Sequence, residues 1–91
     1  MKQKMPMPKI EIYTTMLCPY CHAAKRLLKS KSQPFTEIDV TADRAGREQM
    51  MKRANGRHTV PQIFIDEDHI GGCDDLMALE RAGALDALLA S

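Results

Sequence analysis

No charge of one sign dominates this chain: 13 Lys and Arg stand against 12 Asp and Glu, a net charge of +1. Holding a phosphate backbone or an anionic membrane by electrostatics takes a basic excess, so neither nucleic acid nor a membrane surface is the expected partner. No apolar stretch approaches the roughly 18 residues that suggest a membrane span. The segment Met1 to Pro8 carries Lys2 and Lys4 with no apolar run behind them, which is unlike a secretory signal and reads as a loose arm ahead of one domain over residues 9–91. No linker, repeat or low-complexity tract divides the 91 residues, and a chain of that size has surface for a single small core. The cysteines are not the even set that a small secreted scaffold pairs into staples. There are three, Cys18, Cys21 and Cys73, and that count fits a reducing compartment, with a cytoplasmic location and a monomeric state as the expectation.

The pattern of the remaining residues is that of alternating strands and helices. Lys9 to Thr14 alternates apolar and polar with β-branched or aromatic side chains, which predicts a strand. Pro19 suits a first helical position, and Tyr20, Ala24, Leu27 and Leu28 repeat on one face, so a helix runs to about Lys31. Phe35 to Val40 predicts a second strand whose Glu37 and Asp39 face suggests an edge. A second helix is expected from a Thr41 cap to Ala54, stopped by Asn55-Gly56. Gln62 to Ile65 and His69 to Gly71, turned at Asp66-Glu67-Asp68, read as a hairpin. A final helix capped by Cys73 or Asp74 carries Leu76, Met77 and Leu79, is interrupted at Gly83 and resumes through Leu85, Leu88 and Leu89. The order β-α-β-α-β-β-α makes the first unit a parallel pair, the hairpin adds two strands, and the whole is a small α/β protein with a four-stranded mixed sheet flanked by helices.

The chemistry concentrates in Cys18-Pro19-Tyr20-Cys21, placed where the first strand ends and the first helix begins. Unpaired N–H groups and the helix dipole there favour the Cys18 thiolate, which makes Cys18 the nucleophile. Cys21 lies one turn on, less exposed, with its sulfur in reach of that of Cys18. A zinc site lacks ligands: no second cysteine pair is present, and His22, His58 and His69 have no i, i+4 spacing and read as solvated surface side chains. Cys73 reads as a small buried hydrophobe, and Met50 and Met51 as packing. Arg44, Arg47, Lys52, Arg53 and Arg57 read as a solvated basic face. The Val60-Pro61 bond can be trans or cis on the residues alone. Gly72-Cys73-Asp74-Asp75 is either a capped helix start or a holder for a small zwitterion.

Cys18-Pro19-Tyr20-Cys21, then Thr59-Val60-Pro61-Gln62-Ile63-Phe64-Ile65, then Gly71-Gly72-Cys73-Asp74-Asp75-Leu76, resemble the dithiol glutaredoxins in their order and separations, over residues 9–89. The resemblance implies the thioredoxin fold, a cis Val60-Pro61 bond, glutathione as reducing co-substrate, and the reduction of glutathione mixed disulfides and protein disulfides. It implies that Cys18 is the nucleophile and Cys21 the resolving thiol, and that Tyr20, Thr59, Val60 and Pro61 receive the glutathione backbone. It further implies that Gly72, Cys73 and Asp74 hold the γ-glutamyl end, with no resident metal. Many members of the family carry a Lys three residues before the nucleophile; here that position is Thr15, which leaves Arg57 as the candidate cation for the glutathione carboxylate. Two other readings remain open. A thioredoxin-like reductase usually shows Trp-Cys-Gly-Pro-Cys, and this chain has no Trp. A module sharing an iron–sulfur cluster through Cys18 and glutathione would need a looser turn than Pro19 allows.

Overall fold

The computed structural model describes residues 8–90. Apart from Pro8, the arm expected over Met1 to Pro8 lies outside the described residues. The elements are β1 (Ile10–Thr14), α1 (Pro19–Ser30), β2 (Thr36–Asp39), α2 (Arg44–Arg53), β3 (Gln62–Ile65), β4 (Asp68–Gly71), α3 (Cys73–Arg81) and α4 (Ala84–Ala90). They form one four-stranded sheet in the order β2-β1-β3-β4. β1 pairs with β2 in parallel and with β3 antiparallel, and β3 pairs antiparallel with β4. No helix among the described residues is long and apolar enough to cross a membrane.

Strand alternation sends side chains to two faces, and each face has its own core. Ile10, Ile12, Ile63 and Ile65 pack against Ala24 and Leu28 of α1, Leu76 of α3, and Leu85 and Leu89 of α4. Tyr13 and Phe64 face the other way, against Val40, Met50 of α2 and Ala54 at the end of that helix. β2, with Thr36, Glu37 and Asp39 exposed, is an edge as its polar alternation suggested. The hairpin turns on Asp66 and Glu67, whose φ values of 51° and 72° are those of a tight two-residue turn, so Asp68 belongs to β4. Gly83, with φ of 74°, ends α3 fully, so the interrupted final helix is two helices.

Two expectations fail locally. α2 begins at Arg44 and is capped by Asp43, whose Oδ1 accepts from the Gly46 N–H at 2.9 Å. Asp is among the strongest caps, and a side chain at position 46 would collide with the Asp43 carboxylate. The Thr41 hydroxyl instead accepts from the Met16 N–H at 2.8 Å, holding the loop after β1. Nor are the basic residues uniformly solvated. The Arg53 guanidinium lies 4.0 Å from the Phe64 ring centroid and donates to Tyr13, Glu11 and Glu67 at 3.0, 2.8 and 3.2 Å. A planar, weakly hydrated guanidinium can close an aromatic core where an ammonium could not.

The edge strand is tied in by charge. Glu37 accepts from Lys25 of α1 at 2.9 Å and from the Thr14 hydroxyl at 2.7 Å. Lys25 first, then Thr14, hold its carboxyl below the usual carboxylate range. A group more acidic folded than unfolded contributes stability above its unfolded pKa and loses it as pH falls through the lowered folded value. Thermal unfolding followed from neutral pH down through the carboxylate range should therefore show Glu37→Gln slightly less stable at neutrality, by about 0.5–1 kcal/mol for so open a pair. The variant should also lose less on acidification than the parent, and identical acid sensitivity in the two proteins would show that this triad does not couple to folding.

Candidate active site

Cys18 sits at the N-cap of α1, and its sulfur accepts from the Cys21 N–H at 3.1 Å. Cys18 and Cys21 are joined as a disulfide with Cα atoms 5.2 Å apart. The expected order of exposure holds in rank but not in degree: Cys21 is wholly enclosed and Cys18 is only 7% exposed. Around this small opening the neighbours stand out, with Met16 67%, Leu17 95% and Tyr20 65% exposed. Together with Pro19 and His22, Met16 and Leu17 rim a shallow, mainly apolar hollow of about 240 Å³ at Cys18.

A second depression, of about 270 Å³, brings together residues from three distant segments. Tyr20 comes from α1, Arg57 and Thr59 to Pro61 from the loop between α2 and β3, and Gly72 to Asp75 from the start of α3. The Val60-Pro61 peptide is cis, and the Val60 carbonyl oxygen lies 3.8 Å from the Cys18 sulfur. Every residue expected to receive glutathione thus lines one groove, whose Val60 carbonyl lies close to the Cys18 sulfur. Arg57 is the one cation on that lining, while Thr15 brings no charge.

The start of α3 differs from the expectation that Cys73 or Asp74 caps it. Gly72 is the N-cap, and the Asp75 carboxylate, three residues on, accepts from the Gly72 N–H at 2.9 Å. Asp75 also accepts from Arg57 at 3.0 Å. The Gly72 N–H first and Arg57 second hold its carboxyl below the usual range. The sequence reading included Asp75 in this helix start without assigning it the cap, although an acid at the third position of a helix is the signal for such a back-bond. Gly71 is required beside it: its φ is +116°, and a Cβ there would collide with the same carboxylate. Asp74 is exposed at the groove and has no side-chain partner among the described residues.

Cys73 is buried, as expected, and packs in the core with Leu76 and Ile63. Burial first, then Asp74, push its thiol pKa up, which makes it a poor nucleophile. His22 and His58 are exposed, but His69 is not a solvated side chain. Its ring lies 5.1 Å from that of Phe64, and Nε2 is 2.6 Å from Gln62 Oε1. Burial, then Arg57, lower its pKa. Among the described residues no group of three or more His, Cys, Asp or Glu is arranged to hold a metal ion.

The geometry is that of a dithiol–disulfide couple at a helix N-terminus, with a groove carrying charged groups and a mainly apolar hollow nearby. Comparison with known proteins agrees. The family model described as Glutaredoxin matches residues 10–70. Glutaredoxin 3 of Escherichia coli (strain K12) is 59% identical over 83 residues, covering 91% of this chain and 99% of that protein. A glutaredoxin of Pseudomonas aeruginosa is 54% identical over 85 residues, covering 93% and 100%. Among solved structures, the solution structure of a Brucella melitensis glutaredoxin superposes with a TM-score of 0.81 at 52% identity, covering 92% of this chain and 90% of that one. The crystal structure of a buckwheat glutaredoxin–glutathione complex gives a TM-score of 0.81 at 28% identity, covering 90% and 76%. The chain belongs to the glutaredoxin family, and is a thiol–disulfide oxidoreductase on the thioredoxin fold.

Proposed function

We propose that this protein reduces glutathione mixed disulfides and protein disulfides in the cytoplasm as a monomer, with glutathione as its reductant. The observation that carries the reading is the groove running from the Val60 carbonyl beside Cys18 to the start of α3. A tripeptide joined by its sulfur to Cys18 would lie along it. Tyr20 and Thr59 to Pro61 offer a wall for the peptide backbone, Arg57 a cation for a carboxylate, and Gly72 to Asp74 N–H groups and a carboxylate for the γ-glutamyl end. The unpaired Cys73 supports a reducing compartment.

In the one-thiol route the Cys18 thiolate attacks the glutathione sulfur of a mixed disulfide. The Cys18–glutathione bond forms, the substrate sulfur leaves as thiolate and takes a proton from water. A second glutathione thiolate then attacks the glutathione sulfur on Cys18, releasing oxidised glutathione and restoring the Cys18 thiolate. In the two-thiol route Cys18 attacks a protein disulfide, and Cys21, losing its proton, attacks the Cys18 sulfur. The reduced protein leaves with both thiols, and the Cys18–Cys21 disulfide remains for two glutathiones to reduce. Family couples near about −200 to −230 mV are within reach of glutathione. Exposed Met16, Leu17 and Tyr20 around a recessed sulfur offer an apolar seat for the larger substrates.

Turnover of a glutathionylated peptide with glutathione and its reductase tests this reading, and absence of turnover would sink it. Cys18→Ser should abolish both routes, because a hydroxyl is neither a thiolate nor a sulfur leaving group. Cys21→Ser should keep the one-thiol route and lose protein-disulfide reduction. Equal loss of peptide turnover in the two variants would overturn the roles assigned to the pair.

Asp74→Asn keeps the shape of the side chain and leaves the Asp75 back-bond intact. It should raise KM for the glutathionylated peptide about five- to thirtyfold, the loss of one charge-assisted bond, and added salt should narrow the difference. The same rise with a peptide adduct lacking the γ-glutamyl amine would mean that Asp74 does not hold that amine. At the rim of the apolar hollow, Leu17→Ser should leave peptide turnover unchanged and raise KM for a disulfide-bonded protein about tenfold or more, given the ~1.5–3 kcal/mol that a fully buried Leu contributes. An unchanged KM would remove the hollow from the substrate's path.

A further inference from the structure

We propose that His69 is a positioning residue for the reductase: through the buried amide of Gln62 it holds the Thr59 to Pro61 segment against the groove. The proposal rests on the reading of that groove as the glutathione site. His69 touches neither the groove nor a cysteine in the mechanism above, and the sequence pattern had put it on the surface.

The sheet brings His69 to this place. Along β3 and β4, Ile63 pairs with Gly71 and Phe64 with His69, so one residue, Ile70, is extra between them. That irregularity sets the His69 ring opposite Phe64 and tilted 32° to it. Gln62, two residues before Phe64, shares its face, and the diagonal neighbour on the adjacent strand is in reach of a long side chain. His69 Nε2 and Gln62 Oε1 are 2.6 Å apart. The Gln62 Nε2 atom donates to the Thr59 carbonyl at 3.0 Å and to the Thr59 hydroxyl at 3.3 Å.

The direction of the chain of bonds follows from the chemistry of its ends. A carbonyl oxygen can only accept, so the NH₂ of Gln62 must face Thr59 and its oxygen must face the ring. That oxygen can only accept too, so His69 carries its proton on Nε2 and donates. The link survives protonation of the ring, because the imidazolium keeps the Nε2 proton. Gln62 is wholly buried, so with the donor removed its oxygen has no water to turn to, and the amide is free to rotate away from Thr59. What it then releases is the residue before Val60, whose carbonyl lies 3.8 Å from the Cys18 sulfur.

Three proteins test this: the parent, His69→Phe, which keeps a ring on Phe64 and removes the donor, and His69→Gln, whose terminal NH₂ reaches about as far as Nε2. Two quantities are read in each, with thermal unfolding confirming that the proteins are folded: KM and kcat for a glutathionylated peptide, and the backbone amide chemical shifts of Thr59 and Val60 by NMR. His69→Phe should shift both amides and raise KM about five- to tenfold, the worth of one hydrogen bond, with kcat within about twofold. His69→Gln should return both toward the parent. Unmoved amides in His69→Phe, or a KM that stays at the parent value while the amides move, would overturn the proposal, as would failure of His69→Gln to restore either. A parent protein that does not turn over the peptide would refute the glutathione reading instead, and the amide shifts would still decide whether His69 holds the segment.

Discussion

The first turn of α1 is short of hydrogen-bond partners, and the site is arranged around that shortage. A helix start leaves backbone N–H groups with nothing to donate to. Here Pro19 has no N–H, the His22 N–H is taken by the Cys18 carbonyl at 3.1 Å, and the Cys21 N–H points at the Cys18 sulfur. A sulfur in that position is favoured as an anion, because the donor and the helix dipole both act on it. Holding it there requires α1 to be fixed under the sheet, which Ala24 and Leu28 do from the isoleucine face. It also requires the loop after β1 to be fixed, and the Thr41 hydroxyl does that through Met16.

Charge at the groove is arranged in pairs, with one exception. Arg57 and Asp75 satisfy each other while Asp75 also closes the start of α3, so the cation arrives already oriented. Asp74, next to this pair, is left open. A groove that offers one oriented cation and, among the described residues, one carboxylate without a side-chain partner can receive charges of both signs, as a zwitterion carries. With the uncharged Thr15 three residues before Cys18, the proposed contact to the glutathione carboxylate falls to Arg57.

Much of this was legible in the residues because the signals were local. The Cys18-Pro19-Tyr20-Cys21 run marks its own helix start, Asp66-Glu67 marks its own turn, and the alternation of β2 marks an edge. The misreadings came where a side chain's partner is far away in sequence. Arg53 looks like one more solvated base until Glu11, Tyr13, Phe64 and Glu67 are brought around it by the sheet. His69 looks exposed until the β3–β4 irregularity turns it over Phe64. Asp43 displaced Thr41 as a cap because both are good caps and only the path of the loop chooses between them. Asp75 sits in the run read as a capped helix start or a zwitterion holder, and what stayed out of view was its bond to Arg57, on another segment.

The sheet also closes itself off at both sides. β2 shows Thr36, Glu37 and Asp39 to solvent along a strand of four residues, and β4, equally short, begins with Asp68 and bends at Ile70. Short, charged or kinked edges are poor templates for another strand. Under the proposed reading, the reductase would meet protein chains that are partly unfolded, with backbone groups unpaired and strands ready to add to any open border. With its borders blunted in this way, the molecule would be able to hold such a chain by one sulfur and a few side chains, let it go, and not become the seed of its aggregation.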